Sequence, residues 1–205
     1  MEGKSIYLIR HGETDYNRKG IIQGSGVDTS LNDTGRKQAR AFFEHYKHIS
    51  FQKIYVSTLR RTLETVAPFV AQGIPFESYA GLNEISWGSK DGKLVNKEDQ
   101  RVYKEMLECW QRGEVEKCIA GGESPLDVQY RQKPIIEILL SRIDENPVLI
   151  CMHGRAMRIF LSTLLHEGSL RDMDLFEHHN TCLYLLNYNG KRFNIKKFND
   201  VSHLK

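Results

Sequence analysis

The segment IYLIRHGETDYN, Ile6 to Asn17, sets an arginine, a histidine and a glycine directly behind a short apolar run. Arginine carries a planar fork of donors that matches a phosphate or carboxylate bidentately. Histidine titrates near neutrality, and its unprotonated ring can attack phosphorus and form a covalent intermediate. Two further positions repeat the pattern: Arg61 follows the run KIYVS, and His153-Gly154 follows PVLICM. Two arginines brought to one point are costly unless an anion binds between them. Displacement at phosphorus expels an alkoxide that must take up a proton, so a carboxylic acid is needed nearby. Glu84, in GLNEISWG, is the candidate. The competing reading of each residue is structural: a strand ending in a polar turn, a core histidine, a solvated loop acid.

These residues converge only if the elements before them are neighbouring strands. SIYLI, KIYVS and PVLICM read as short buried strands, and IPFESYA as an edge strand. Between them, Ala39, Phe42, Phe43 and Tyr46 share a helical face behind a cap at Asn32 or Asp33. Leu59, Leu63, Val66 and Val70 mark a second helix that Pro68 ends or kinks. Ser124-Pro125 with Asp127 opens a helix bearing Ile135, Ile136, Leu139, Leu140 and Ile143, which Pro134 bends. HGRAMRIFLSTLLH continues as another helix, with Met157, Phe160 and Leu164 inward. TCLYLLNY and RFNIKKFN form a closing hairpin about Asn189-Gly190. Strands alternating with helices predict an α/β fold, a three-layer sandwich with a mostly parallel central sheet flanked by helices. In such sheets ligands bind at the carboxyl ends of the strands, where Arg10, His11, Arg61 and His153 would lie. Gly12 to Asp33 reads as a long loop, and residues 94–118 as a small helical insertion facing the substrate.

Bulk properties narrow the class. The 205 residues suit one domain spanning 1–205; 40% are hydrophobic and 27% charged, as in ordinary globular chains. A net charge of +3, with no basic run interleaved with aromatics, argues against a nucleic-acid partner. No apolar stretch reaches the roughly 20 residues that span a bilayer, and no signal-peptide pattern opens the chain, so a cytoplasmic protein without a membrane partner is expected. The four cysteines form no CxxC pair; Cys151 and Cys182 read as small core residues. His178-His179 lacks partners at zinc-ligand spacing, so no metal is expected.

LIRHGETDYN resembles the opening R-H-G-E-T-x-W-N signature of the histidine phosphatase superfamily, also called phosphoglycerate mutase-like, with Tyr16 in place of tryptophan. QGSGVDTSLNDTG is similar to its Q-G-x-x-D-x-x-L-x-x-x-G stretch with one residue added. STLRRTLET is similar to S-x-L-x-R-A-x-x-T and singles out Arg61 rather than Arg60. LNEISWG, GGES and MHG match later motifs, and the likeness runs from Ile6 to Leu186. It implies that His11 is the phosphorylated nucleophile, that Arg10, Arg61 and His153 hold the phosphoryl oxygens, and that Glu84 is the general acid and then the base. Asn17 and Gln23 would border the pocket and touch phosphate or substrate. No cofactor is implied. One departure, Ile21 where the family often has arginine, bears on specificity.

The expected activity is hydrolysis of a small phosphorylated metabolite through phosphohistidine. Other readings stay open: a cofactor-dependent mutase, a phosphatase specific for one metabolite such as an α-ribazole phosphate or a fructose 2,6-bisphosphatase-like substrate, and a non-catalytic phosphate-binding module. Neither the leaving group nor the oligomeric state is readable.

Overall fold

A computed structural model describes residues 3–166 and 168–205. In chain order the elements are β1 (Lys4–Arg10), α1 (Asp15–Lys19), α2 (Asp33–Tyr46), β2 (Lys53–Val56), α3 (Arg60–Val70), β3 (Phe76–Ser78), α4 (Lys97–Gln111), α5 (Pro125–Ser141), β4 (Val148–Met152), α6 (Gly154–Leu165), β5 (Leu183–Tyr188) and β6 (Phe193–Asp200). The strands form one sheet in the order β3-β2-β4-β1-β5-β6. Pairings among β3, β2, β4 and β1 are parallel, and only the β5 pairings are antiparallel. The α/β, mostly parallel architecture read from the sequence is the one observed.

Strand periodicity divides the core between the two faces of the sheet. On β4, Leu149 and Cys151 face α2 and α3, where they join Phe42, Tyr46, Val66 and Phe69. Val148, Ile150 and Met152 face the other way and join Val128, Ile135 and Leu139 of α5 and Met157 and Phe160 of α6. Every residue of β4 is therefore buried, which explains why PVLICM is apolar without alternation. The outer strands β3 and β6 are covered on one face at most and do alternate.

Four sequence expectations are corrected. The buried stripe of α3 is Arg61, Thr62, Thr65, Val66 and Phe69, while Leu63 is exposed. That helix starts beneath the site, so its inward positions hold polar side chains that bind backbone rather than leucines. Pro68 does not end it: a proline so close to the C-terminus removes one hydrogen bond, and the fully buried Phe69 beyond it keeps the last turn in place. Ile143 lies past the end of α5 and is exposed. The Gly12–Asp33 segment is not structureless, because Thr14 and Asn17 form a reciprocal capping box that starts α1. The helix in the 94–118 segment begins at Lys97, where Asn96 and Asp99 cap each other in the same way.

The first turn of α2 packs backbone to backbone on the loop behind β1. A Cβ on Gly35 would lie 2.1 Å from the Glu13 carbonyl oxygen, and one on Gly12 would lie 2.7 Å from the Gly35 carbonyl oxygen. Asn32, the α2 cap, donates its backbone N–H to the Glu13 carbonyl at 3.0 Å. Overpacking of this kind costs about 1–3 kcal/mol. Gly35→Ala is therefore expected to lower Tm by about 2–4 °C per kcal/mol lost, whereas Thr34→Ala, at an exposed neighbour, leaves it nearly unchanged. Calorimetric melting of the two variants checks this; equal Tm values would contradict the close approach.

Candidate active site

The parallel register brings the key residues together. Arg10 pairs with Met152 across β1 and β4, and the His11 N–H donates to the Met152 carbonyl at 3.0 Å. His11 and His153 thus leave adjacent strand ends, with ring centroids 5.2 Å apart. On the other side of β4, Val56 pairs with Cys151, and the chain turns into α3 so that Arg61 enters the same space. Thr65, one helical turn on, accepts the Gly12 N–H at 2.9 Å and fastens the loop after His11 to α3.

His11 is almost fully buried, and its Nδ1 lies 2.7 Å from its neighbour's carbonyl, that of Gly12. A carbonyl only accepts, so Nδ1 carries the proton and Nε2 keeps its lone pair. His153 is the opposite tautomer: its Nδ1 accepts from Arg61 Nε at 3.1 Å, which leaves Nε2 to donate to Ser57 Oγ at 2.8 Å. Burial, reinforced by the Arg61 and Arg10 charges, holds His11 well below the ordinary imidazole range. Burial and Arg61 do the same to His153. Arg61 itself is stripped of water and brought down to about 10, which still leaves it charged at neutral pH. Its other donors reach the Val27 carbonyl at 2.7 Å and the Gly24 carbonyl at 3.5 Å. Burial also lowers Arg10, whose buried Nε has no partner.

Glu84 reaches the site from the loop after β3. Its Oε1 accepts the N–H groups of Ile85 at 2.9 Å and Ala156 at 2.8 Å, and its Oε2 accepts that of Arg155 at 3.1 Å. The carboxyl group therefore sits on the N-terminal turn of α6, whose cap is His153. Of the two residues expected at the border, Asn17 spends Oδ1 on Thr14 in the capping box of α1. Gln23 accepts from the hydroxyls of Thr14 and Thr29.

The sequence reading missed several members. His178 packs against Gly154, where a Cβ would lie 2.8 Å from its ring, and its Nδ1 accepts from Arg10 at 3.2 Å. Burial and Arg10 push it down to about 2. Asn180 donates to the His11 carbonyl at 3.0 Å. Arg155 and Arg158 both bind Asp174, and Arg155 also binds the hydroxyl of Tyr103. A cavity of about 270 Å³ joins Arg10, Glu84, Trp87, Tyr103, Arg158 and His178. The HGRAMR run placed both arginines one turn apart and so hinted at them. Nothing in the sequence paired His178 with Arg10, since the contact crosses 168 positions. Among the described residues no cluster of three or more histidine, cysteine or acidic side chains could hold a metal ion.

Residues 6–201 match the histidine phosphatase superfamily (branch 1), and the chain belongs to that family. Its relatives and structural neighbours include phosphatases of small phosphorylated metabolites. It is 34% identical over 168 residues to 6-phosphofructo-2-kinase/fructose-2,6-bisphosphatase of Gallus gallus, covering 81% of this chain; it spans about a third, 34%, of that relative's length. Among solved structures, YhfR of Bacillus stearothermophilus superposes with a TM-score of 0.83 at 27% identity, over 98% of this chain and 99% of that one. Phosphoserine phosphatase from Entamoeba histolytica, in complex with 3-phosphoglyceric acid, superposes with a TM-score of 0.82 at 25% identity, over 98% and 99%.

The depressed histidines make stability depend on pH. His11 and His153 remain neutral when folded but take up protons below about 6.5 when unfolded. The unfolded chain then binds more protons, so stability falls as pH drops below about 6.5 and is fully present above it. Each such histidine contributes up to about 1.4 kcal/mol per pH unit. Urea unfolding at pH 7.5 and pH 5.5 is expected to give a smaller unfolding free energy at pH 5.5. Equal or greater stability at pH 5.5 would contradict the buried neutral pair.

Proposed function

We propose that the chain hydrolyses phosphate monoesters through a phosphohistidine at His11 Nε2. The observation that carries this reading is the Nδ1–Gly12 hydrogen bond of a buried His11 flanked by two arginines. That bond takes up the Nδ1 proton and leaves Nε2 as the nucleophilic nitrogen, while burial and the two arginine charges keep the ring unprotonated. Arg10, Arg61 and the Nε2–H of His153 hold the phosphoryl oxygens, with the His153 proton turning from Ser57 toward phosphate. These are fixed donors where negative charge is shared out during transfer.

The Nε2 lone pair attacks phosphorus, the ester P–O bond breaks, and its electron pair leaves on the alkoxide, which takes a proton from Glu84. Water then attacks the phosphohistidine and gives a proton to Glu84. The P–N bond breaks, its electrons return to the imidazole, and alcohol and phosphate leave. Asn17 and Gln23 act at second hand, by shaping the loop over the pocket, and residues 94–118 face the substrate. The chemistry named for the relatives, removal of phosphate from small metabolites, supports the same reading.

Glu84→Gln tests the proton-transfer role. Its kcat is expected to fall by roughly 10²–10⁴ on alkyl phosphates, and by much less on p-nitrophenyl phosphate, whose leaving group needs little protonation. Equal losses on both would remove Glu84 as the proton donor.

A further inference from the structure

A second cavity, of about 240 Å³, lies beside the site and is walled by Ile22, Trp87, Val95, Val102, Tyr103 and Ile119. Its lining is mostly apolar, with Gln23, Lys90, Asp99 and Gln100 as its polar members. The Gln23 oxygen accepts from Thr14 and Thr29, and Lys90 is paired with Asp99 at 2.5 Å. Gln100 is exposed. Trp87 and Tyr103 line this cavity and the site cavity alike, so the two share a wall. Their rings meet edge to face at 5.5 Å, and the Tyr103 hydroxyl is turned to Arg155 of the site.

The walls are held by backbone, not by chance contact. The loop around Ile22 is zipped to the segment after Trp87: Ile22 N–H donates to the Lys93 carbonyl and Gly92 N–H to the Ile22 carbonyl, both at 2.9 Å. Asp91 takes the N–H of Gly24 at 2.9 Å and that of Gly26 at 3.1 Å. The zipper brings Ile21, where the family resemblance leads one to expect arginine, into a bridge with Leu94.

Resting on the phosphatase reading above, we infer that this cavity receives the leaving alcohol and that the substrate is a phosphate ester with an apolar arm of several carbons, rather than a sugar or polyol phosphate. Glu84 protonates the leaving oxygen and shares the site cavity with Trp87 and Tyr103. The carbon chain attached to that oxygen is therefore directed at the wall the two cavities have in common. A polyol there would lose water from hydroxyls set against a mostly apolar wall, which is unfavourable. Each buried methylene, in contrast, favours binding by about fourfold.

The test compares n-hexyl phosphate with D-glucitol 6-phosphate. Both are six-carbon esters of primary alcohols, and the hydroxyls of glucitol make it the slightly better leaving group, so chemistry alone favours the polyol. The expected result is a kcat/KM at least about tenfold higher for the hexyl ester. In Val102→Asp, and in Val95→Asp at a position already 41% exposed, the ratio of kcat/KM for hexyl over methyl phosphate should fall at least about fivefold. Equal or better turnover of glucitol 6-phosphate, or an unchanged hexyl-to-methyl ratio in both variants, would overturn the subsite. If p-nitrophenyl phosphate is hydrolysed while the polyol is preferred, the subsite alone falls. If no ester is hydrolysed, the phosphatase reading falls and takes the subsite with it.

Discussion

A buried guanidinium, Arg61, and a half-buried one, Arg10, neither with a carboxylate in contact among the described residues, are the constraint on which the rest of this structure depends. Arg10 is met by a histidine ring and a carbonyl, and Arg61 by a histidine ring and two carbonyls. Buried charges left without a counter-ion are expensive. The fold bears that cost by packing: β1 and β4 hold Arg10 in register with Met152, just before His153, and Thr65 ties the loop after His11 to α3. Burial, with the same positive field behind it, depresses His11, His153 and His178, so these imidazoles stay neutral. An anion entering this space relieves the repulsion between the arginines and meets an imidazole that is already unprotonated. Arg155 and Arg158 differ, since Asp174 pairs with both.

Glycine placement shows how closely the backbone must approach itself to build this site. Gly12 and Gly35 let the loop after β1 lie against the first turn of α2, and Gly154 makes room for the ring of His178. The polar caps belong to the same economy of short segments. Thr14 with Asn17, Asn96 with Asp99 and Ser124 with Asp127 start three helices, and the first of these shapes the loop over the pocket.

Much of this was legible in the sequence because the relevant forces are local. Continuous burial of β4 produced an uninterrupted apolar run, and Ser124-Pro125-Asp127 spelled out a helix start. The convergence of Arg10, His11, Arg61 and His153 followed from a parallel sheet with its site at the strand ends. What was not legible depends on contacts between distant segments. The inward face of α3 was misread because Thr62 and Thr65 are buried as backbone partners, and hydropathy favoured Leu63 over them. His178 and Asn180 enter the site from the approach to β5, far along the chain, and no spacing rule connects them with Arg10 and His11. The apolar cavity beneath α4 is likewise a product of tertiary pairing between the loop at Ile22 and the segment at Lys93.

The central claim is that His11 Nε2 receives the phosphoryl group. Rapid acid-free quenching of the wild-type protein with a ³²P-labelled ester, followed by proteolysis and mass mapping under alkaline conditions, tests it most directly. The account predicts an acid-labile, alkali-stable phosphate on the peptide containing His11, absent in His11→Ala. A label on His153 or on a serine, or hydrolysis at the wild-type rate by His11→Ala, would contradict it.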